Sequence, residues 1–187
     1  NKTFDHKTSL SELNNVKYIS IDLTDNYRDI AKAYFPKAII CADSFHVLKH
    51  LTDDFRKIRT RCRRNTQDET LVYLLTKFKY IFNFGIDLDN TPRYNKHFKR
   101  YMNYRDIISI IFNNFPELER AYELKNQYIL FNRTADYKNA KEDLSDLIRK
   151  FGESNIKEYE EFYNLLINWN QEIINSFIKV RSKRINN

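Results

Sequence analysis

Glycine and proline are nearly absent from this chain, with 2 Gly and 3 Pro in 187 residues. A phosphate-cradling loop or a dinucleotide-binding turn needs several backbone positions without a Cβ, so that class of nucleotide site is excluded. Tight hairpins are disfavoured for the same reason, and with them a large all-β fold. Cysteine is as scarce. Cys41 and Cys62 form no C-x-x-C pair, so no structural zinc site is expected, and a reducing compartment is implied. Cys41, within Ala38-Ile39-Ile40-Cys41-Ala42, reads as a small core residue, whereas Cys62 lies among arginines. No apolar run reaches the roughly 18 residues of a membrane helix, and no signal-peptide pattern is read. What the chain does have is charge and rings. Lys and Arg number 32 against 25 Asp and Glu, a net charge of +7, and aromatic residues make up 15%. The basic excess points to a polyanionic partner. The hydrophobic share of 42% allows a sizeable core for one domain with a small addition.

Residues 1–15 are polar, carry no sustained period and read as a tail. Val16-Lys17-Tyr18-Ile19-Ser20-Ile21-Asp22 is β-branched and aromatic, and predicts a strand ending at Asp22. Asn26 to Phe35 predicts a helix with Tyr27, Ile30, Ala31 and Tyr34 on one face, stopped by Pro36. Ala38 to Asp43 predicts a second strand, and its unbroken apolar run predicts burial on both faces. Strand, helix, strand is a βαβ unit. If its strands are parallel neighbours, Asp22 and Asp43 leave the sheet at the same edge, where sites form in open α/β sheets.

Beyond Asp43 the pattern is helical. Val47, Leu48, Leu51, Phe55 and Ile58 share a face of a helix from Ser44 to about Arg61. Thr66-Gln67-Asp68-Glu69 reads as a capping box with Thr66 as the cap. Gly85 to Pro92 reads as a loop, with Thr91-Pro92 opening a short basic helix. Asn103 caps a helix to Phe112, Pro116 opens one to about Asn132, and Asp136 to Phe151 forms another closed by Gly152. Asn155 to about Lys179 reads as one long amphipathic helix with Trp169 and Phe162 inward. The expected fold class is α/β but predominantly helical. Residues 16–65 form the α/β unit, and residues 66–187 form an all-α region.

Two or three carboxylates at one sheet edge, here Asp22, Asp25 and Asp43, offer the hard oxygens that Mg²⁺ requires. Aspartate is equally common there as a helix cap. Asp43, His46 and His50 form D-x-x-H-x-x-x-H, with the histidines one helical turn apart. A metal hydrolase built on these three is an alternative, although no fourth ligand is in sight. Basic residues gather in three clusters. The first is Arg56, Lys57, Arg59, Arg61, Arg63 and Arg64. The second is Arg93, Lys96, His97, Lys99, Arg100 and Arg105, interleaved with Tyr94, Phe98, Tyr101 and Tyr104. The third is Lys179, Arg181, Lys183 and Arg184. Cations among aromatic rings can bind DNA phosphates and stack on bases.

The strand residues Val16 to Asp22, with Tyr27, Tyr34-Phe35-Pro36-Lys37-Ala38 and Ala42-Asp43-Ser44-Phe45-His46-Val47-Leu48-Lys49, resemble the ISL-three family of bacterial insertion-sequence transposases. Leu118 to Lys125 and Trp169 to Phe177 agree. The resemblance implies a DDE enzyme with a ribonuclease H-like core, cleaving and joining DNA strands with Mg²⁺ or Mn²⁺. It implies that Asp22 is the second metal carboxylate, and that Asp43 and His46 are a family motif that shapes the second shell or the helix start. It also implies that residues 66–187 are a helical insertion leading back towards the core. The family's first aspartate and its Glu-Gly-x-Asn segment have no counterpart in the chain. An internal fragment is therefore expected, inactive alone and holding no metal tightly. Expected partners are double-stranded DNA (transposon ends and target) and a second copy of the chain, in the bacterial cytoplasm near the nucleoid. A non-catalytic DNA-binding or assembly protein descended from a decayed transposase is the alternative.

Overall fold

The structure is a computed structural model and describes residues 15–178. The third basic cluster and the polar tail up to residue 14 lie outside the described residues. Strand β1 (Tyr18–Ile21) pairs in parallel with β2 (Ile39–Ala42), in the register Tyr18 to Ile39 and Ile21 to Ala42. Helix α1 (Asp25–Tyr34) connects them, so the βαβ unit is present. Burial alternates along β2, with Ile40 and Ala42 buried and Ile39 exposed. Burial on both faces is thus corrected. Helices do not cover both faces of a two-stranded sheet. Helix α1 corrects a second expectation. Of its apolar stripe only Ala31 is buried, while Tyr27, Ile30 and Tyr34 are exposed. The helix docks instead through Arg28, which donates to the Asn168 carbonyl at 3.0 Å and sits 4.3 Å over the Trp169 ring.

Helix α2 (Ser44–Asn65) is the longest described helix, and it buries Val47, Leu51, Phe55, Ile58 and Cys62 along one face. Asp43 caps it by accepting from the Phe45 amide at 2.9 Å. Helix α3 (Glu69–Lys77) follows, and a 3-10 turn (Lys79–Phe82) ends that arm. The cap of α3 is Asp68, not Thr66. The Asp68 carboxylate accepts from the Thr70 and Leu71 amides, and Thr66 only holds the Asp68 amide at 3.2 Å. An ionised oxygen is the stronger acceptor for amides at a helix N-terminus, which explains the choice.

The region after Pro92 is not all-helical. Strands β3 (Arg93–Asn95) and β4 (Arg100–Met102) form an antiparallel hairpin where a basic helix was expected. The Asn95 side chain accepts from the His97 and Phe98 amides and closes the turn, and Lys99 takes a left-handed φ of 51°. Asn95 thus closes the turn through its side chain, and Lys99 takes the backbone conformation usually given to glycine. Helix α4 (Tyr104–Asn114) starts at the expected Asn103, with a full capping box to Asp106. Helix α5 (Pro116–Thr134) opens on its proline. Helix α6 (Ala140–Glu153) runs past Gly152, and the left-handed residue beyond it is Asn155. The expected long C-terminal helix is broken into a 3-10 turn (Lys157–Tyr159), α7 (Glu160–Asn168) and α8 (Asn170–Asn175). The break at Trp169 lets α8 lie against β2, where the Asn175 side chain donates to the Ile40 carbonyl at 2.8 Å. That contact covers the outer edge of the small sheet.

One apolar core runs from Ile21 of β1 to Ile174 of α8 and joins all these elements except β3. Arg61 of α2 ties the helical layers together. It is hydrogen bonded to Glu117 of α5 at 2.8 Å and to Glu158 at 2.6 Å. Cys62 is buried and Cys41 half-buried, and both are free thiols. No helix among the described residues is long and apolar enough to cross a membrane.

Candidate functional site

The parallel register brings Asp22 and Asp43 to the same sheet edge. Each follows directly on its strand, and the Asp43 amide donates to the Ile21 carbonyl at 2.8 Å. Asp22 is half-buried and accepts from the Thr24 hydroxyl at 2.6 Å. Asp43 spends one oxygen on the Phe45 amide and faces His46 Nδ1 with the other, at 3.2 Å. Asp43 therefore orients His46 while capping α2. Asp25, named with this edge, pairs with Arg28 instead. His50 is exposed one turn further along α2. Among the described residues no three His, Cys, Asp or Glu side chains converge in a way that could hold a metal ion. Asp43, His46 and His50 are thus not a ligand set in this fold. The edge offers hard oxygen donors, chemically right for Mg²⁺ but too few to enclose it.

The basic clusters differ in how much of their charge is spent. Arg56 pairs with Asp53 at 3.1 Å and Lys57 with Asp54 at 2.7 Å. Arg61 is held by two carboxylates, which push its guanidinium pKa up. Arg59 donates to the Leu75 carbonyl at 2.6 Å, and burial lowers its pKa. Arg63 and Arg64 pair with no carboxylate among the described residues. The same holds for every cation of the hairpin named above: Arg93, Lys96, Lys99 and Arg100. Of the two described clusters the hairpin therefore carries the more uncommitted positive charge.

Three cavities involve these clusters: one of about 470 Å³ along α2 alone, lined by Arg56, Lys57, Arg61 and Arg64, and two that lie between elements. One, of about 420 Å³, takes Arg56, Arg59, Lys79 and Lys125 into its wall beside Asp53. Lys125 is 3% exposed, donates to the Phe82 carbonyl at 2.7 Å, and has its pKa lowered to about 8 by burial. The other, of about 380 Å³, lies between α3 and the hairpin, and no acidic residue lines it. Sequence reasoning named Arg93, Tyr94, Lys96 and Tyr104 of this wall but missed Tyr73, Lys77 and Tyr80 on the opposite side. The available signal was the pair of short alternating runs Arg93-Tyr94-Asn95 and Arg100-Tyr101-Met102 around an asparagine turn, which is a hairpin pattern.

A family model described as "Transposase", that of the ISL-three family, matches residues 1–185. The chain belongs to the ISL-three transposase family. No curated protein and no solved structure matches it.

Proposed function

We propose that this chain is part of a DDE transposase that cleaves an insertion sequence from DNA and joins it to a target. The observation that supports this most directly is the transposase family match over residues 1–185, with Asp22 at the carboxyl edge of a parallel βαβ unit. That unit corresponds to part of a ribonuclease H-like core, and the helices and hairpin beyond residue 65 correspond to the insertion. Asp22 supplies one metal carboxylate in the complete site. A divalent ion bound there would activate the attacking oxygen and stabilise the leaving one. The role of Asp43 is to cap α2 and hold His46 at the edge. Lys96, Lys99 and Arg100, with Arg63 and Arg64, are the cations left to contact duplex phosphates. Arg59 is committed to the Leu75 carbonyl, and the exposed Arg56 is paired with Asp53.

Among the described residues the sheet edge gathers too few carboxylates for a two-ion site, so the chain alone is expected neither to nick nor to join DNA. In a transposase that contains the chain, Asp22→Ala should abolish cleavage while leaving binding of the transposon end within about twofold. Cleavage that survives Asp22→Ala, or Mg²⁺-dependent nicking by the purified chain that Asp22→Ala removes, would overturn the respective half of this reading.

A further inference from the structure

We propose that the cleft between the β3–β4 hairpin and α3 holds an unpaired nucleotide of a DNA strand, with its base on Tyr94 and its phosphate on Lys77, Arg93 and Lys96. This deepens the DNA-handling reading above and rests on it. The cleft is about 380 Å³, within the range of pockets that enclose a small ligand. Its walls carry Tyr73, Tyr80, Tyr94 and Tyr104, and its three cations have no carboxylate among the lining residues. Tyr73 is stacked by His97 and has Lys77 over its ring at 5.3 Å, so the ring left open to a ligand is chiefly Tyr94. An open aromatic face beside cations that no carboxylate neutralises fits a ligand that is itself flat at one end and anionic at the other. A nucleotide meets both conditions. In a duplex both faces of a base are covered by its neighbours, so a tyrosine reaches a base face only when that base is out of the stack.

The walls are already built. His97 stacks on Tyr73 with ring centroids 4.7 Å apart and planes 17° apart, and it hydrogen bonds Thr70 at 3.0 Å, which fastens the hairpin tip to α3. Tyr80 and Tyr104 meet edge to face at 5.5 Å. Burial and the Tyr104 contact push the Tyr80 hydroxyl up to about 12, so it remains a neutral donor at working pH. Tyr94 is 54% exposed, and its cross-strand partner Tyr101 is 71% exposed. Lys99 and Arg100 carry the positive charge on past this pair. The hairpin therefore combines stacking surfaces with a charged track, the pattern that binds single strands without reading sequence.

The test is fluorescence anisotropy of the purified chain with a labelled oligothymidine and with a duplex of equal length. The chain should bind the single strand. Tyr94→Ala should weaken that binding roughly 5- to 150-fold, the effect of losing one stacking ring, while duplex affinity moves less than about twofold. Tyr94→Phe should restore the single-strand affinity. Lys96→Ala should lower the salt slope of binding by about one. A 2-aminopurine base in the strand reports stacking directly, and its emission should be quenched by the wild type but not by Tyr94→Ala. Duplex binding without single-strand binding, or Tyr94→Ala weakening both ligands alike, would overturn the inference and leave the DNA reading intact. Binding of neither ligand would remove both. Thymidine monophosphate competing as well as the oligonucleotide would replace the strand by a free nucleotide and overturn the proposal as stated.

Discussion

Lys125 is a cation placed where cations are costly. It is buried among the Phe55 and Tyr122 rings, with its Nζ 5.2 and 5.0 Å from their centroids, and only neutral oxygens accept from it. Burial lowers its pKa from 10.5 to about 8. The folded state thus binds fewer protons than the unfolded state between these values, and stability rises with pH across that window. Relative to Lys125→Met, the wild type should gain about 2 kcal/mol in urea unfolding free energy from pH 8 to roughly pH 9.5. The comparison with the variant is needed because burial also raises the pKa of the Cys41 and Cys62 thiols within this window and of Tyr128 and Tyr159 above it, and these groups work in the opposite direction. A gap between wild type and variant that does not change with pH would mean that Lys125 does not titrate there.

At the scale of elements, caps and turns decide where helices begin and which segments become strands. Asp68 satisfies two amides of α3, whereas Thr66 satisfies only the Asp68 amide, one residue outside the helix. Asp68→Ala should therefore cost about 1 kcal/mol and Thr66→Ala only a few tenths, as read from thermal or urea unfolding. The reverse order would restore Thr66 as the cap. The hairpin shows how an element escapes a helical reading. Thr91-Pro92 fits a helix start, but the Asn95 side chain turns the chain three residues after Pro92 and β4 pairs back on β3. Three-residue strands carry too few residues for alternation to outweigh the surrounding helical pattern.

For the whole molecule, Arg61 is the tie between layers. It reaches from α2 to Glu117 of α5 and to Glu158 at the start of the C-terminal segment. Arg61→Met would leave two carboxylates facing each other without a counter-ion. The expected loss at neutral pH is on the order of 2 kcal/mol. The hydrogen bond from Arg61 lowers the Glu158 pKa below 4.5. Its contribution is complete above that value and is lost as pH falls through the lowered folded pKa. The gap in unfolding midpoint between wild type and variant should narrow below pH 4.5, and a gap independent of pH would assign the loss to packing alone.

Much of the local order was legible in the chain itself. The strand–helix–strand unit around Asp22 and Asp43, the α2 face, the Asn103 cap and the Pro116 start follow from periodicity and capping chemistry, which act within a few residues. The sequence by itself also determined the predominance of helix, because 2 glycines in 187 residues leave few positions for turns. Tertiary structure alone decided the rest. The break at Trp169 depends on α8 reaching the edge of β2, a contact between residues far apart in the chain. The exposure of Tyr27, Ile30 and Tyr34 depends on which partner α1 finds, and it finds the Trp169 corner through Arg28. The cleft behind the hairpin joins Tyr73, Lys77 and Tyr80 to Arg93, Tyr94 and Lys96. Which cations were already paired could be read only once folding had placed carboxylates beside some clusters and left the hairpin without them, because Coulomb interactions depend on distance in space and not on separation along the chain.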